Sequence, residues 1–433
     1  MKVYNNYKIT IQQVFMYVIT LVFIFYSLSG YSGKMSNHIS LALLCIWSLG
    51  CYIIRPKAFA NIFNMKIVFV LSIYVIFLFC VTLTSPDVSY TFKLFLQAFV
   101  LFSPVFLFQY FKSIKNDRLF KYLLIASGCG WLFFTIRSIF FLSANPGAAR
   151  LLATNATAYD NVLIGGGYSL AYGSAIIGVY LFDIYINKHV INKRLRVLIL
   201  VIVILFAINI IKTESTITAI SFFLGLMISI IYKGLGWTEL KNIKTRFKQI
   251  FITTCLVFIS LIVVYNYENI GSIINNLTSS QSSAIEIRLN EIGRSMEYGL
   301  KADYLESRFT KPFETLEVFF ENPIIGVGYL VGFNELESKS LGVGNHSEWT
   351  DALAMMGITG GIPFLLIYYY GTKIERNYTK KIVSPAWIIT MIIMGLFNPF
   401  QSFQSHFALF FLIGGIGYFI SANSTTEKKR HYY

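Results

Sequence analysis

The chain has 433 residues, of which 55% are hydrophobic, 17% are aromatic and only 13% are charged. Because this charged fraction is about half that of an average soluble domain, the composition excludes a soluble enzyme and indicates a membrane protein. The formal net charge of +15 comes from basic residues dispersed over many short segments, which argues against a nucleic-acid-binding face.

Twelve apolar runs have the length that a helix needs to cross the hydrocarbon core of a bilayer. The first run lacks a small-residue cleavage site, so we expect it to be retained as a helix. All five cysteines fall inside these runs, which gives no sign of a disulfide framework. The sequence therefore predicts an all-α polytopic membrane protein with spans near 11–29, 38–54, 67–84, 91–111, 119–143, 161–182, 195–211, 215–232, 249–266, 350–371, 384–400 and 405–421.

The distribution of Lys and Arg predicts the orientation of these spans. If the N-terminus is cytoplasmic, 25 of the 36 Lys and Arg residues fall in the inner segments and eleven fall outside or near the outer face. Short cytoplasmic loops retain basic residues. We therefore expect both termini to be cytoplasmic.

One outer loop is long enough to form a water-exposed unit. Spans one to nine occupy 1–266, the loop occupies 267–349, and spans ten to twelve with a cytoplasmic tail occupy 350–433. From Glu268 to Trp349 the loop holds twelve acids and six bases, a net charge of −6, which leaves +21 for the rest of the chain. Two stretches, SSAIEIRLNEIGRSMEYGLKADYLESRF and KPFETLEVFF, mix apolar and charged residues at helical spacing. They predict amphipathic helices that lie on the outer membrane surface or pack as a small subdomain.

His346 is the histidine with the most informative context. It ends the long loop in GVGNHSEWTDALAMMGITGG, where Ser347 is suited to cap the next helix and Glu348 and Asp351 suit the positive end of its dipole. A histidine is not needed for capping. His346 is therefore a candidate catalytic residue, and Glu348 is either a second one or only a helix-start residue.

Arginines on the outer side are candidates for binding phosphate, because a guanidinium is a planar fork of donors that stays charged. Arg150 has no acid near it before Asp160, and Arg308 precedes the second amphipathic stretch. Arg288 is a third candidate, although Glu286 or Glu291 could pair with it or with the neighbouring Arg294 at helical spacing.

Other chemistries lack their motifs in this sequence. The outer loop has one histidine, no cysteine and no clustered carboxylates, so we expect no metal ion and no cofactor. The GxSxG elbow of a serine hydrolase is absent. The GVG at 326–328 has no strand before it, which makes it a turn signal and not a nucleotide loop.

Two segments carry a family resemblance. RFTKPFETLEVFFENPIIGVGY, from Arg308 to Tyr329, and GNHSEWTDALAMMGITGGIPFLL, from Gly344 to Leu366, resemble the core of bacterial O-antigen and capsule polymerases and O-antigen ligases. The resemblance is to an Arg before Asn-Pro, a G-x-G turn, and a His that leads into a helix ending in Gly-x-x-Gly-Gly. The layout of many spans with one large late loop, similar to the GT-C architecture, extends it to the whole chain.

The resemblance implies an enzyme that polymerises polyprenyl-diphosphate-linked oligosaccharide repeat units on the outer face of the cytoplasmic membrane. It implies an undecaprenyl-diphosphate-linked donor and acceptor, with membrane lipid, a chain-length regulator and a flippase as further partners. Arg308, Arg150 and Arg288 would then bind the diphosphate. His346 would take the proton of the attacking hydroxyl, and Glu348 would orient His346 or share its role.

Two alternatives stay open from the sequence. An O-antigen ligase uses the same donor and transfers the finished polymer to a lipid core. A twelve-helix transporter or flippase would be expected to show matching halves and more ionisable residues inside the spans, and neither feature is evident in the sequence.

Overall fold

The computed structural model describes most of the helical part of the chain. The described residues are 11–30, 36–85, 87–114, 116–149, 152, 164–186, 193–234, 290, 303–328, 343, 347–379 and 383–421. Within them the chain is almost entirely helical and contains no strand. The helices are α1 (Ile11–Leu28), α2 (Ser36–Ile54), α3 (Pro56–Ala60), α4 (Lys66–Thr84), α5 (Val88–Ser113), α6 (Asp117–Ala144), α7 (Tyr168–Ile186), α8 (Lys193–Lys212), α9 (Thr216–Gly234), α10 (Asp303–Glu321), α11 (Glu348–Thr379), α12 (Ala386–Phe397) and α13 (Phe403–Ser421).

Nine of these helices are long and apolar enough to cross a membrane, and the protein is therefore a polytopic membrane protein. Their outward surfaces carry exposed aliphatic side chains, such as Val201 and Ile204 of α8, as expected for contact with lipid. Two shorter apolar helices, α2 and α12, coincide with two more of the predicted spans. The predicted span at 249–266 lies outside the described residues, so the count of twelve stays a prediction.

Helix α12 is shorter than the predicted span at 384–400. It has 12 residues, from Ala386 to Phe397, and Asn398 after it is extended with φ −146° and ψ 142°. Pro399 follows, and a residue that precedes proline is biased away from helical conformation. At 1.5 Å per residue α12 is only about 18 Å long, so the irregular segment 398–402 begins well short of a full bilayer crossing.

The centre of the bundle is formed by α7 and α13, the two most buried of the long helices. Helix α7 is rich in small residues, which let neighbouring helices approach closely. A methyl group added to Gly173 would lie 2.5 Å from the ring of Trp131, and one added to Gly178 would lie 2.8 Å from Phe222. The Trp131 indole donates to the Ser174 hydroxyl at 3.1 Å, so α6 and α7 are joined by a buried hydrogen bond as well.

The bundle has two distinct ends. One end holds the starts of α11 and α13, and we call it the site end. Here Gln404 of α13 lies against the last turn of α1, where its Nε2 donates to the carbonyls of Ser27 and Leu28 at 3.3 and 3.4 Å. Basic residues that the sequence assigns to the cytoplasm gather at the opposite end. Lys112 Nζ lies 5.3 Å from the ring centroid of Tyr378, and Arg196 Nε donates to the Tyr185 carbonyl at 3.2 Å. Which side of the membrane each end faces stays a prediction.

The second predicted amphipathic stretch lies on a helix, α10, which packs against α11 and α12. Its exposed side carries aromatic residues, Phe313 and Phe320, beside acidic ones, Glu314 and Glu317. The side facing the bundle holds the buried Thr315. The first predicted stretch, at 282–309, lies outside the described residues except for Asn290 and the backbone of 303–309.

Candidate functional site

The structure describes one of the five predicted site residues in full. Arg150, Arg288 and His346 lie outside the described residues. Arg308 lies on α10, but its side chain is outside the description. Glu348 is the first residue of α11 and is fully described. The described part of the site therefore consists of Glu348 and of the elements that carry chain neighbours of the other predicted site residues.

The two segments that carry the family resemblance contact each other through their backbones. The turn after α10, residues 322–327, lies along the middle of α11. Val327 N donates to the Ala354 carbonyl at 2.9 Å, and Ile358 N donates to the Pro323 carbonyl at 2.8 Å. The carbonyl of Ile324 accepts from both the backbone N and the Oγ1 of Thr359, at 3.1 and 2.8 Å. We call this contact the turn–kink contact.

Glycines make the turn–kink contact possible. Gly357 has φ 60° and ψ −161°, which kinks α11, and a methyl group added to it would lie 2.4 Å from the backbone of Ile324. Gly326 has φ 77°, and a methyl group there would lie 2.5 Å from the backbone of Met355. The left-handed φ and the close backbone approach both require glycine. The family pattern has a helix that ends in Gly-x-x-Gly-Gly, and the predicted span runs over 350–371; in the structure α11 kinks at Gly357 and continues to Thr379.

The start of α11 is capped as the sequence predicts. Ser347 Oγ accepts a hydrogen bond from Thr350 N at 3.2 Å, and Asp351 Oδ2 accepts one from Ser347 N at 3.2 Å. These are reciprocal cap bonds that satisfy amides with no partner inside the helix. Ser347 Oγ also donates to the Gly395 carbonyl of α12 at 3.1 Å. The residue that directly follows His346 in the chain is therefore fixed to two helices.

Trp349 strengthens the attachment of α11 to α12. Its indole Nε1 donates to the Ile392 carbonyl at 2.9 Å, and its ring covers Gly395, where an added methyl group would lie 2.3 Å from it. The ring also packs edge-on against Tyr368 and Phe400. Ser347 and Trp349 thus hold the chain on both sides of Glu348.

Glu348 binds the irregular segment 398–402. Its side chain is 7% exposed, and its Oε2 accepts hydrogen bonds from the backbone N of Phe400 and of Gln401, both at 3.0 Å. Non-helical backbone inside a membrane protein needs such partners, because no water is available to satisfy it. This oxygen is therefore engaged by two amides, which favours an anchoring role for Glu348 over a role as proton acceptor.

The segment before Arg150 reaches the same end of the bundle. Ala149 is buried, and its Cα lies 3.5 Å from the position of a methyl group added to Gly167. The adjacent Gly166 lies near the Gln404 amide of α13. Chain neighbours of Arg150 and His346 therefore attach to the framework around the starts of α11 and α13, and the helix that carries Arg308 packs against α11 and α12.

His406, at the start of α13, is a buried polar residue that the sequence analysis did not single out. It is fully buried, with Nε2 2.7 Å from the Tyr368 hydroxyl and Nδ1 3.1 Å from the Leu101 carbonyl. Since Nδ1 can only donate to a carbonyl, Nε2 accepts from Tyr368. The ring stacks on Phe102 with centroids 4.6 Å apart. With both nitrogens engaged, His406 joins α5, α11 and α13, and a π-helical turn at Phe407–Ile413 follows it.

The described residues therefore form a fixed frame around the start of α11. No model of a known protein family matches the chain, and no curated protein matches it significantly. Its function is therefore inferred from its own residues and their geometry.

Proposed function

We propose that this protein polymerises polyprenyl-diphosphate-linked oligosaccharide repeat units into O-antigen or capsular polysaccharide at the outer face of the cytoplasmic membrane. The observation that supports this most is the turn–kink contact. The two segments that resemble the polymerase and ligase core are separate in sequence, yet their backbones are bonded to each other at Val327–Ala354 and Pro323–Ile358. A contact of this kind is expected if the two segments build one site.

The proposed reaction transfers a glycan to a sugar hydroxyl without a metal ion. The hydroxyl oxygen of the acceptor attacks the anomeric carbon of the donor while the bond from that carbon to the diphosphate oxygen breaks. The proton of the hydroxyl passes to His346, and the electron pair leaves with the polyprenyl diphosphate. Arg308, Arg150 and Arg288 stabilise the leaving diphosphate through charge-assisted hydrogen bonds, the task that a metal ion performs in other transferases.

Glu348 acts in this proposal as a positioning residue. Its carboxylate binds the amides of Phe400 and Gln401, and Ser347 beside it is bonded to α12. These bonds fix the backbone that directly follows His346 in the chain. A general base must be held within hydrogen-bond reach of the proton it takes, so a rigid mount next to His346 fits the role assigned to that histidine.

A deletion strain separates the polymerase from the ligase. Both enzymes use the same donor and differ in the acceptor. If the protein is the polymerase, the strain will carry single repeat units on the final acceptor and no long chains. Long chains that remain attached to polyprenyl lipid would contradict the proposal and indicate the ligase instead, and an unchanged glycan would contradict both.

The arginines offer a matched pair of variants for the same assay. Arg308→Ala is expected to abolish polymer while the protein remains in the membrane. Arg308→Lys should restore it only in part, because an ammonium group does not reproduce the planar fork of donors. Arg294→Ala, which removes the same charge from the same loop, should leave the polymer nearly unchanged. Equal loss of polymer in both alanine variants would mean that the loop itself had lost its structure.

A further inference from the structure

A groove lies between α1, α2, α5 and α6 at the end of the bundle opposite the candidate site. It encloses about 300 Å³ of empty space, part of which is open to the surroundings. Lys112, which lies in the chain between two residues of the groove, contacts Tyr378 near the end of α11, and this contact places the groove at that end. We call it the Arg55 groove; its apolar lining comes from Met16, Ile54, Phe111, Ile114 and Leu119.

The Arg55 groove belongs to the part of the surface that contacts lipid. Next to its lining residues in the chain, Phe15 of α1 is 56% exposed and Ile53 of α2 is 74% exposed. Exposed apolar side chains on spanning helices contact the acyl chains of the bilayer. An apolar groove that opens beside them is therefore suited to an acyl chain and not to water, which would need polar partners there.

The backbone at Arg55 is fixed at the junction of α2 and α3. Arg55 is extended, with φ −142° and ψ 65°, and Pro56 begins α3, in agreement with the bias of a residue before proline against helix. Its N donates to the Cys51 carbonyl of α2, and its carbonyl accepts from Phe59 N of α3, both at 3.0 Å. The junction therefore holds the Arg55 side chain at the groove.

Arg55 carries the only charge among the side chains that line the groove. Of the two other polar lining residues, Tyr110 has its hydroxyl beside the Cys51 thiol. The guanidinium of Arg55 is exposed, and no carboxylate of the described residues pairs with it. Asp117, at the start of α6, accepts instead from the Tyr418 hydroxyl at 3.0 Å. The groove thus combines an apolar lining with one cation that is accessible to a ligand.

We propose that the Arg55 groove binds an anionic phospholipid, with the phosphate on the Arg55 guanidinium and an acyl chain along the apolar lining. A guanidinium is a planar fork of donors that matches a phosphate group. Basic sites between spanning helices on the cytoplasmic side bind anionic headgroups, and the basic residues assign this end to the cytoplasm. Lys57 and Arg118 are exposed nearby in the chain and would repel the cation of a zwitterionic headgroup. The site does not depend on the proposed glycosyl transfer.

Thermal unfolding of the purified full-length protein in a nonionic detergent tests this site. Tm would be measured with increasing phosphatidylglycerol, with phosphatidylcholine of the same acyl chains, and with inorganic phosphate, all at one ionic strength. A ligand that binds only the folded state stabilises it with a saturable dependence on concentration. We expect Tm to rise by several degrees and to level off with phosphatidylglycerol. Phosphatidylcholine should raise Tm less, and inorganic phosphate should leave it unchanged.

Two variants and a control locate the effect. Arg55→Gln should require about tenfold more phosphatidylglycerol for the same rise in Tm, because it loses a charge-assisted hydrogen bond to the phosphate. Ile114→Trp, which fills the apolar part and keeps the charge, should weaken the response too. Lys57→Gln is the matched control: it removes the same charge two residues away from Arg55, outside the lining, and it should keep the wild-type response.

The Arg55 side chain is exposed, so Arg55→Gln should have the wild-type Tm when no lipid is added, and a weaker response then reports on binding and not on folding. Equal rises with the two lipids would overturn the inference. Equal weakening in Arg55→Gln and Lys57→Gln would also overturn it, because the attraction would then be diffuse. So would a rise of the same size with inorganic phosphate, because the lipid would then not be the ligand.

Discussion

The two ends of α11 each bury a glutamate, and the two residues have opposite surroundings. Glu348, at the site end, binds two backbone amides with one oxygen. Glu375, at the other end, accepts from the Thr379 hydroxyl and lies beside the Tyr180 hydroxyl. Burial is similar in both cases, at 7% and 1% exposure. The two carboxylates therefore differ in their partners, which are backbone amides for Glu348 and side-chain hydroxyl groups for Glu375, and not in their burial.

The same contrast holds for the way each end is built. The site end is held by hydrogen bonds to backbone groups: the turn after α10 is bonded to the kink of α11, and the amides of segment 398–402 are bonded to the Glu348 carboxylate. The opposite end is assembled from side-chain hydroxyl and carboxyl groups. A frame made of backbone contacts is rigid and depends on a few glycines.

Breaking the turn–kink contact should have the largest effect. Gly357→Ala introduces a methyl group 2.4 Å from the Ile324 backbone at a left-handed φ, and we expect it to cost about 3 kcal/mol or more of stability and to abolish activity. Gly147→Ala is the control, because Gly147 also has a left-handed φ of 78° but has open space around it. It should cost only about 1–2 kcal/mol. Equal Tm losses would show that backbone strain alone, and not the contact, matters at Gly357.

Removing the anchor at Glu348 should have the next largest effect. Glu348→Ala leaves the amides of Phe400 and Gln401 without acceptors, which we expect to cost about 2–4 kcal/mol. Glu348→Gln retains an amide oxygen as acceptor and should cost about 1 kcal/mol.

Glu375→Gln sharpens the comparison with Glu348. It should leave Tm unchanged or raise it, because it replaces a buried carboxyl group that binds only side-chain hydroxyl groups with a neutral amide. Thermal unfolding of the four proteins, wild type included, checks this order. A greater loss of Tm for Glu375→Gln than for Glu348→Gln would contradict the assignment of Glu348 as the anchor.

Removing the cap at Ser347 should have the smallest effect of the series. Ser347→Ala loses the bond from Thr350 N and the bond to Gly395, and a lost cap costs about 0.5–2 kcal/mol. Because Trp349 still holds α11 to α12 through Ile392, we expect polymer of reduced amount but normal length. Complete loss of polymer with unchanged Tm would give Ser347 a part in the chemistry that the cap does not explain.

The sequence correctly predicted the features that depend on local residue patterns. Long apolar runs mark helices whatever they pack against, so nine spans correspond to long helices. The cap at Ser347 is likewise a local signal, and it is confirmed. The predicted end of this span, at residue 400, was wrong because Asn398 and Pro399 stop α12 inside an apolar run.

Contacts between residues that are distant in the chain could not be predicted from the sequence. Nothing near Glu348 indicates that its partners are Phe400 and Gln401. The polar stretch after Gly371 looked like a loop, but it continues α11, since Glu375 and Thr379 face the bundle while Lys373 points outward. The buried acids Asp183 and Glu375 therefore fell at or beyond the predicted span ends and went unnoticed. The fixed positions of Gly326 and Gly357 were visible as a motif, but their mutual contact was not.

The most direct test of the account is elongation by purified protein with and without His346. Wild-type protein, supplied with polyprenyl-diphosphate-linked repeat units and a chelator of divalent metals, should produce a ladder of longer lipid-linked glycans. His346→Gln has a similar shape but does not take up a proton near neutral pH, so it should produce no ladder while its Tm stays at the wild-type value. Polymer of wild-type length from His346→Gln would contradict the role of His346 as the general base.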